Sequence, residues 1–143
     1  MTHLYTRGSE YALRALQAMA THGDESITVR ELCRLADVPE PFTRKILQQL
    51  VHGGLLSSIR GPGGGLRFAR DPATVSLMEV VELIDDGSRL DRCVLGNKDC
   101  DDRRSCPLHA QWEPIKRAAS DMLESTTLQD LTVVARGRKS RRR

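Results

Sequence analysis

The sequence predicts a mainly α-helical chain carrying one small β-hairpin. Three observations lead there. Apolar residues recur at steps of three and four along several segments, the mark of one buried helix face. Thr28 with Glu31, and Ser76 with Glu79, form the Ser/Thr-x-x-Glu pattern that opens helices. Between these two boxes, short extended runs flank Gly61-Pro62-Gly63-Gly64-Gly65, a sequence suited to a turn and to little else.

Residues 4–22 read as the first helix, with Leu4, Ala12, Leu13, Leu16, Met19 and Ala20 near helical spacing and His22-Gly23-Asp24 as its end. Thr28 opens a second helix with Val29, Leu32, Cys33 and Ala36 on one side. Asp37-Val38-Pro39 interrupts the chain. A third helix runs from Glu40 to His52, with Phe42, Ile46, Leu47, Leu50 and Val51 as its buried stripe and Gly53-Gly54 as its stop. Two short helices joined by a tight turn over 28–52 make a helix-turn-helix. The third helix is then the reading helix, and its outward residues include Thr43, Arg44, Lys45, Gln48 and Gln49. Arg and Gln can grip base edges with two hydrogen bonds, whereas Thr and Lys suit phosphates. Thr28, at the start of the second helix, is a further DNA-contact candidate.

Leu55 to Arg60 and Leu66 to Arg70 read as the two strands of a hairpin spanning 55–70. A hairpin directly behind a reading helix is a wing, so the fold class is a winged helix-turn-helix. Gly61, Gly63 and Gly64 keep the tip thin enough to approach DNA. Arg60 opens the tip and suits a narrow minor groove, where negative potential is concentrated. A phosphate-binding glycine loop fits poorly, because no Gly-Lys-Ser/Thr follows.

Asp71-Pro72 closes the wing, and the Ser76 box opens a fourth helix with Leu77, Val80, Val81 and Ile84, ending at Asp86-Gly87. Residues 88–106 show no periodicity, and a loop of that length in a compact domain points to function or disorder. From Pro107, a helix over 107–125 places Leu108, Trp112, Ile115, Ala119 and Met122 at alternating steps of four and three. That narrow seam suits packing against a partner helix, and an ordinary core stripe is the alternative. Pro114 should kink this helix or mark its true start. A short helix from Thr127 to Val134 completes one domain over 1–135, and 136–143 reads as a disordered basic tail.

Charge is unevenly spread. Residues 1–70 carry nine basic and six acidic side chains, 71–135 seven and thirteen, and 136–143 six and none. The net charge of +3 therefore depends on the tail, which adds non-specific attraction to phosphates at most. Aromatic residues make up 3% of the chain, so stacking of single-stranded bases is disfavoured and duplex DNA fits better. No apolar run is long enough to cross a membrane, and no signal peptide opens the chain, so the expected place is the cytoplasm. No membrane partner and no small-molecule substrate are expected. His3, His22 and His52 stand at helix edges beside no evident nucleophile motif, so an enzyme is not expected either.

Three of the four cysteines, Cys93, Cys100 and Cys106, lie within fourteen residues, and His109 follows the last by three. In a reducing compartment such clustering points to metal or redox chemistry rather than disulfides. Paired Cys-x-x-Cys knuckles of structural zinc sites are absent. Three thiolates and an imidazole are sound ligands for an iron–sulfur cluster. A closed zinc site and a reactive thiol beside Arg103, Arg104 or a helix start are the alternatives. Cys33 lies on an apolar helix side and reads as structural.

The stretch Ser57-Ser58-Ile59-Arg60-Gly61-Pro62-Gly63-Gly64-Gly65, followed by the cysteine trio and Cys106-Pro-Leu-His109, resembles the Rrf-two-type family of bacterial regulators, the IscR-, NsrR- and RirA-like proteins. The resemblance runs from Tyr5 to Val134 and is closest in pattern to IscR. It implies a homodimer whose affinity for a near-palindromic double-stranded DNA operator is set by an iron–sulfur cluster answering iron, redox or nitric oxide status, with repression as the expected effect. It implies Arg60 as the groove residue and Cys93, Cys100 and Cys106 as ligands. His109 matches the fourth ligand of the IscR-like 2Fe–2S pattern, and Glu10 of the partner subunit is the rival; a 4Fe–4S cluster is the other nuclearity. Two features depart from IscR: the first cysteine gap is one residue longer, and Arg44 stands where IscR has an acidic residue.

Overall fold

The computed structural model describes residues 4–85, 92–95 and 106–132. Cys100, Arg103, Arg104, most of the 88–106 loop and the tail 136–143 lie outside the described residues. In chain order the elements are α1 (Arg7–His22), α2 (Val29–Ala36), α3 (Glu40–His52), β1 (Leu56–Ile59), β2 (Gly65–Phe68), a 3-10 turn (Pro72–Thr74), α4 (Leu77–Asp85) and α5 (His109–Ser125).

Helix α1 starts three residues later than its apolar spacing predicts. Thr6 caps it: its Oγ1 accepts from Ser9 N at 3.3 Å. The Asp85 carboxylate, at the far end of α4, accepts from both the Thr6 backbone N at 3.0 Å and the Thr6 hydroxyl. Leu4 therefore packs on the core from outside the helix. Ala12, Ala15 and Leu16 are fully buried, and α2, α3 and α4 all pack against α1. The two alanines let those neighbours approach closely, so α1 is the axis of the core.

Both capping boxes form, though unequally. At α4, Ser76 Oγ accepts from Glu79 N at 3.1 Å and Glu79 Oε2 accepts from Ser76 N at 3.3 Å. At α2, Thr28 Oγ1 accepts from Glu31 N at 3.2 Å, but the Glu31 carboxylate turns to Arg34 at 2.6 Å instead. The turn between α2 and α3 runs through Asp37 at φ 53, a left-handed conformation that Asp tolerates better than most residues. Arg14 of α1 holds this turn by donating to Asp37 O at 2.9 Å.

Strands β1 and β2 pair antiparallel, with Leu56 opposite Phe68 and Ile59 opposite Gly65. A third segment joins them. Ile27, just before α2, exchanges two backbone bonds with Leu66: Ile27 N donates at 2.9 Å and Leu66 N donates back at 2.7 Å. Gly65 makes this approach feasible: at φ 147, a Cβ there would collide with the Ile27 carbonyl. Behind the wing, the Arg70 guanidinium pairs with Glu79 at 2.8 Å and holds that carboxyl below its usual range.

Helix α5 runs unbroken through Pro114, which leaves the preceding turn without one backbone donor. Its end is stitched to α4, since Leu77 N donates to Thr126 O at 2.9 Å and Leu128 N to Val75 O at 3.0 Å. Thr127 belongs to this bridge, so the last helical turn begins at Leu128 rather than at Thr127. Among the residues of α5 only Leu123 is fully buried, whereas Ile115 is 58% and Met122 49% exposed. Of the seam, Ala119 packs against the core and Trp112 is half-buried, whereas Leu108, Ile115 and Met122 stay exposed among the described residues.

The Ile27–Leu66 junction yields a stability prediction. Gly65→Ala should destabilise the fold by about 1–3 kcal/mol through backbone collision and strain. Gly61→Ala, at φ 95 with open space around it, should cost only about 1 kcal/mol. Thermal or urea unfolding of the two variants side by side checks the order.

Candidate nucleic-acid interface and metal centre

The reading face of α3 is built by its own periodicity. Ile46, Leu47 and Leu50 turn into the core, which leaves Arg44, Lys45, Gln48 and Gln49 exposed on the opposite side. Arg44 is engaged in the free protein, since its guanidinium pairs with Glu40 one turn back at 2.6 Å. Such an exposed pair is worth about 0.3–0.5 kcal/mol and gives way readily to a better partner.

Two residues of α3 stand differently from the sequence expectation. Thr43, expected on the outward face, is 0% exposed, and its hydroxyl has no partner among the described residues. Its methyl-bearing side chain fills core volume between α3 and its neighbours, so it cannot offer a hydrogen bond to DNA here. Phe42, expected in the buried stripe, is 49% exposed and rests edge-on against Tyr11, with ring centroids 5.7 Å apart. A threonine reads as polar in a pattern yet packs like valine, and this exchange shifts the phase of the face by one residue.

Arg60, Gly61 and Gly63 are exposed at the wing tip, and Gly64 is half-buried behind them. Gly61 and Gly63 have φ of 95 and 74, and Gly64 N donates to Gly61 O at 2.9 Å to close the turn. Thr28 is exposed but spends its hydroxyl on the α2 cap. The sequence reading passed over three residues that shape this surface. Arg67 is exposed on β2 opposite Ser57, as the alternation Leu66-Arg67-Phe68 signals. Arg14 pins the helix-turn-helix turn, and Ser26 donates to Gly63 O at 2.6 Å. No local signal announces either of those contacts.

Two of the clustered cysteines stand together. Cys93, 3% exposed, places its Sγ 3.7 Å from Cys106 Sγ, with Cys106 half-buried. The Leu95 backbone N donates to Cys93 Sγ at 3.4 Å. His109 opens α5, and its backbone N donates to Cys106 O at 3.1 Å, so thiol and imidazole share one turn. Trp112 Nε1 donates to Arg92 O at 3.2 Å and ties the segment beside Cys93 to the first turns of α5. Among the described residues no three metal-binding side chains stand together, and Cys100, the third expected ligand, lies outside them. Glu10 sits in the first turn of α1, beside Arg14 at 3.8 Å. Cys33 is buried, and burial, with Glu40 adding to it, pushes its thiol up, which keeps it protonated and inert.

The two-strand wing behind a helix-turn-helix defines a winged-helix transcription regulator. The chain belongs to the Rrf2 family, described as iron-dependent transcriptional regulators, which it matches over residues 5–133. It is 31% identical over 123 residues to an HTH-type transcriptional regulator of Aquifex aeolicus, covering 85% of each chain. It is 28% identical over 127 residues to the HTH-type transcriptional regulator IscR of Vibrio vulnificus, covering 88% of this chain and 75% of that one. Its fold matches the structure of CymR, the global cysteine regulator of B. subtilis, with a TM-score of 0.76 at 19% identity, over 90% of this chain and 95% of that one. These relatives are transcription regulators, and so is this chain, rather than an enzyme. Among the described residues no helix is long and apolar enough to cross a membrane.

The burial of Thr43 makes a specific expectation. Thr43→Val should leave DNA affinity within about twofold of the parent and should not lower stability, because an unpartnered buried hydroxyl contributes nothing favourable. Fluorescence anisotropy with labelled operator, together with a melting curve, measures both.

Proposed function

We propose that this chain is a dimeric DNA-binding regulator whose operator affinity is governed by an iron–sulfur cluster, 2Fe–2S in type, held by Cys93, Cys100, Cys106 and His109. One observation carries the reading: the 3.7 Å between Cys93 Sγ and Cys106 Sγ. Two thiolates bound to a single tetrahedral metal at about 2.3 Å each stand about 3.8 Å apart. The described thiols thus fit a shared centre without rearrangement. When bound, a cluster supplies a centre that iron supply, oxidants or nitric oxide can alter. A histidine ligand raises its reduction potential.

The chain's own residues supply the coupling. Cys106 stands immediately before α5, and the Trp112–Arg92 bond fastens the other side of the loop to the same helix. Whatever orders the loop therefore orders the start of α5. The exposed seam of Leu108, Ile115 and Met122 suits the same helix of a second copy, and a two-fold seam sets the spacing of two reading heads. Two copies of α3 then enter successive major grooves about 34 Å apart on a near-palindrome. Lys45, Gln48 and the released Arg44 face the DNA, and Arg60 with the tip glycines Gly61, Gly63 and Gly64 lies over the flanking minor groove. Thr28, exposed at the α2 start, lies on the phosphate side of this surface.

The sulfur separation also suits a closed zinc site, so metal identity is the decisive readout. Protein prepared without oxygen should contain iron and acid-labile sulfide and show visible absorbance. Cys93→Ala and Cys106→Ala should lose that absorbance while keeping the helical fold, and Cys33→Ala should retain it. His109→Ala should alter the spectrum, and Glu10→Ala should leave it unchanged. A colourless protein carrying stoichiometric zinc, or one that unfolds on loss of Cys106, contradicts the proposal.

A further inference from the structure

Residues 26–28 bind both DNA-facing parts of the molecule within one short stretch. Thr28 caps the first turn of α2, and Ile27 is paired with Leu66 near the tip end of the wing strands. Ser26, half-exposed, reaches further out, and its hydroxyl donates to Gly63 O in the wing tip at 2.6 Å.

The tip needs such a hold. Residues 61–65 are four glycines and a proline, so no side chain there packs against the body of the protein. The Gly64–Gly61 bond closes the turn on itself but does not attach it to anything else. The Ile27–Leu66 pair holds the hairpin one step short of its last strand pair, Ile59 with Gly65, so the part that extends beyond it is the turn of residues 60–64. The strand pairing ends at Ile59 and Gly65, so Arg60 and Gly63 belong to the same short turn, and a hold on Gly63 acts on the turn that carries Arg60.

We infer that Ser26 is a positioning residue for DNA recognition: it acts through the Gly63 carbonyl to hold the wing tip, and with it Arg60, at a fixed height relative to α3. This rests on the reading of Arg60 as the wing's groove residue. Ser26 itself touches the wing and need not touch DNA. A neutral, partly exposed hydrogen bond contributes about 0.5–1.5 kcal/mol, which corresponds to roughly a two- to tenfold change in affinity.

The test is a double-mutant cycle on operator binding at one salt concentration. Ser26→Ala should weaken binding about three- to tenfold with the melting temperature lowered by no more than about 4 °C, and Ser26→Thr, which keeps the hydroxyl, should restore most of the affinity. In an Arg60→Ala background, Ser26→Ala should have less than about a twofold further effect. Hydroxyl-radical footprints of Ser26→Ala should lose protection in the flanking minor groove and keep it where α3 binds. If Ser26→Ala binds like the parent while Arg60→Ala is weakened, the positioning role is wrong and the wing reading stands. The role is equally wrong if the two losses multiply independently. If Arg60→Ala binds like the parent, both ideas fail together.

Discussion

The DNA-reading surface depends on a pair of backbone hydrogen bonds between Ile27 and Leu66. They are the point at which the wing, a two-strand hairpin, becomes part of the body of the protein. A lone two-stranded hairpin is marginal in water, and a third strand or a packed surface is what makes it persist. Ile27 supplies that third element, and its own side chain is buried in the core. The segment that carries Ile27 continues directly into α2 through the Thr28 cap. The strands of the wing and the helix-turn-helix are therefore joined directly, and the bare backbone of Gly65 is the condition for their contact.

The second constraint lies at the opposite end of the chain. Among the described residues, helix α5 is bound to the core through its C-terminal half, by Ala119 and Leu123 and by the stitching of Thr126 to α4 and of Leu128 to Val75. Its N-terminal half is bound instead to the cysteine segment, through Cys106, His109 and Trp112. A helix anchored at one end and gripped by a ligand loop at the other is well placed to transmit the state of that loop. In the proposed function this arrangement is what would couple a small inorganic centre to the geometry of a dimer, which a cluster buried inside a rigid core would not do. On that proposal the coupling is a shift between populations of binding and non-binding spacings, and its size is bounded by how differently the two states are stabilised.

Much of this was legible in the sequence, for identifiable reasons. Capping boxes are local chemistry, so the starts of α2 and α4 follow from Thr28 and Ser76 alone. The glycine-rich tip and the clustered cysteines are equally local. The reading helix was legible in place but not in phase, because Thr43 is buried and Phe42 is not. Helical spacing alone does not decide whether a threonine spends its methyl or its hydroxyl on its surroundings. The Ser26–Gly63 and Ile27–Leu66 contacts join residues 37 and 39 positions apart, and nothing in either segment alone points to the other. The Arg14 hold on Asp37 was hidden for the same reason. For the proposed metal centre, the clustering of the cysteines is readable in the sequence, whereas the closeness of Cys93 and Cys106 required the fold.

The claim that ties these parts together is that occupancy of the cysteine centre sets DNA affinity. It is tested most directly by titrating one operator duplex, at one fixed salt concentration and without oxygen, with protein carrying its cluster and with the same preparation after the cluster has been removed. The account predicts that the two affinities differ by at least about tenfold, the scale of ordinary coupling free energies. Equal affinities, with both forms folded and dimeric, would contradict it and leave a DNA-binding scaffold whose cysteines serve some other purpose.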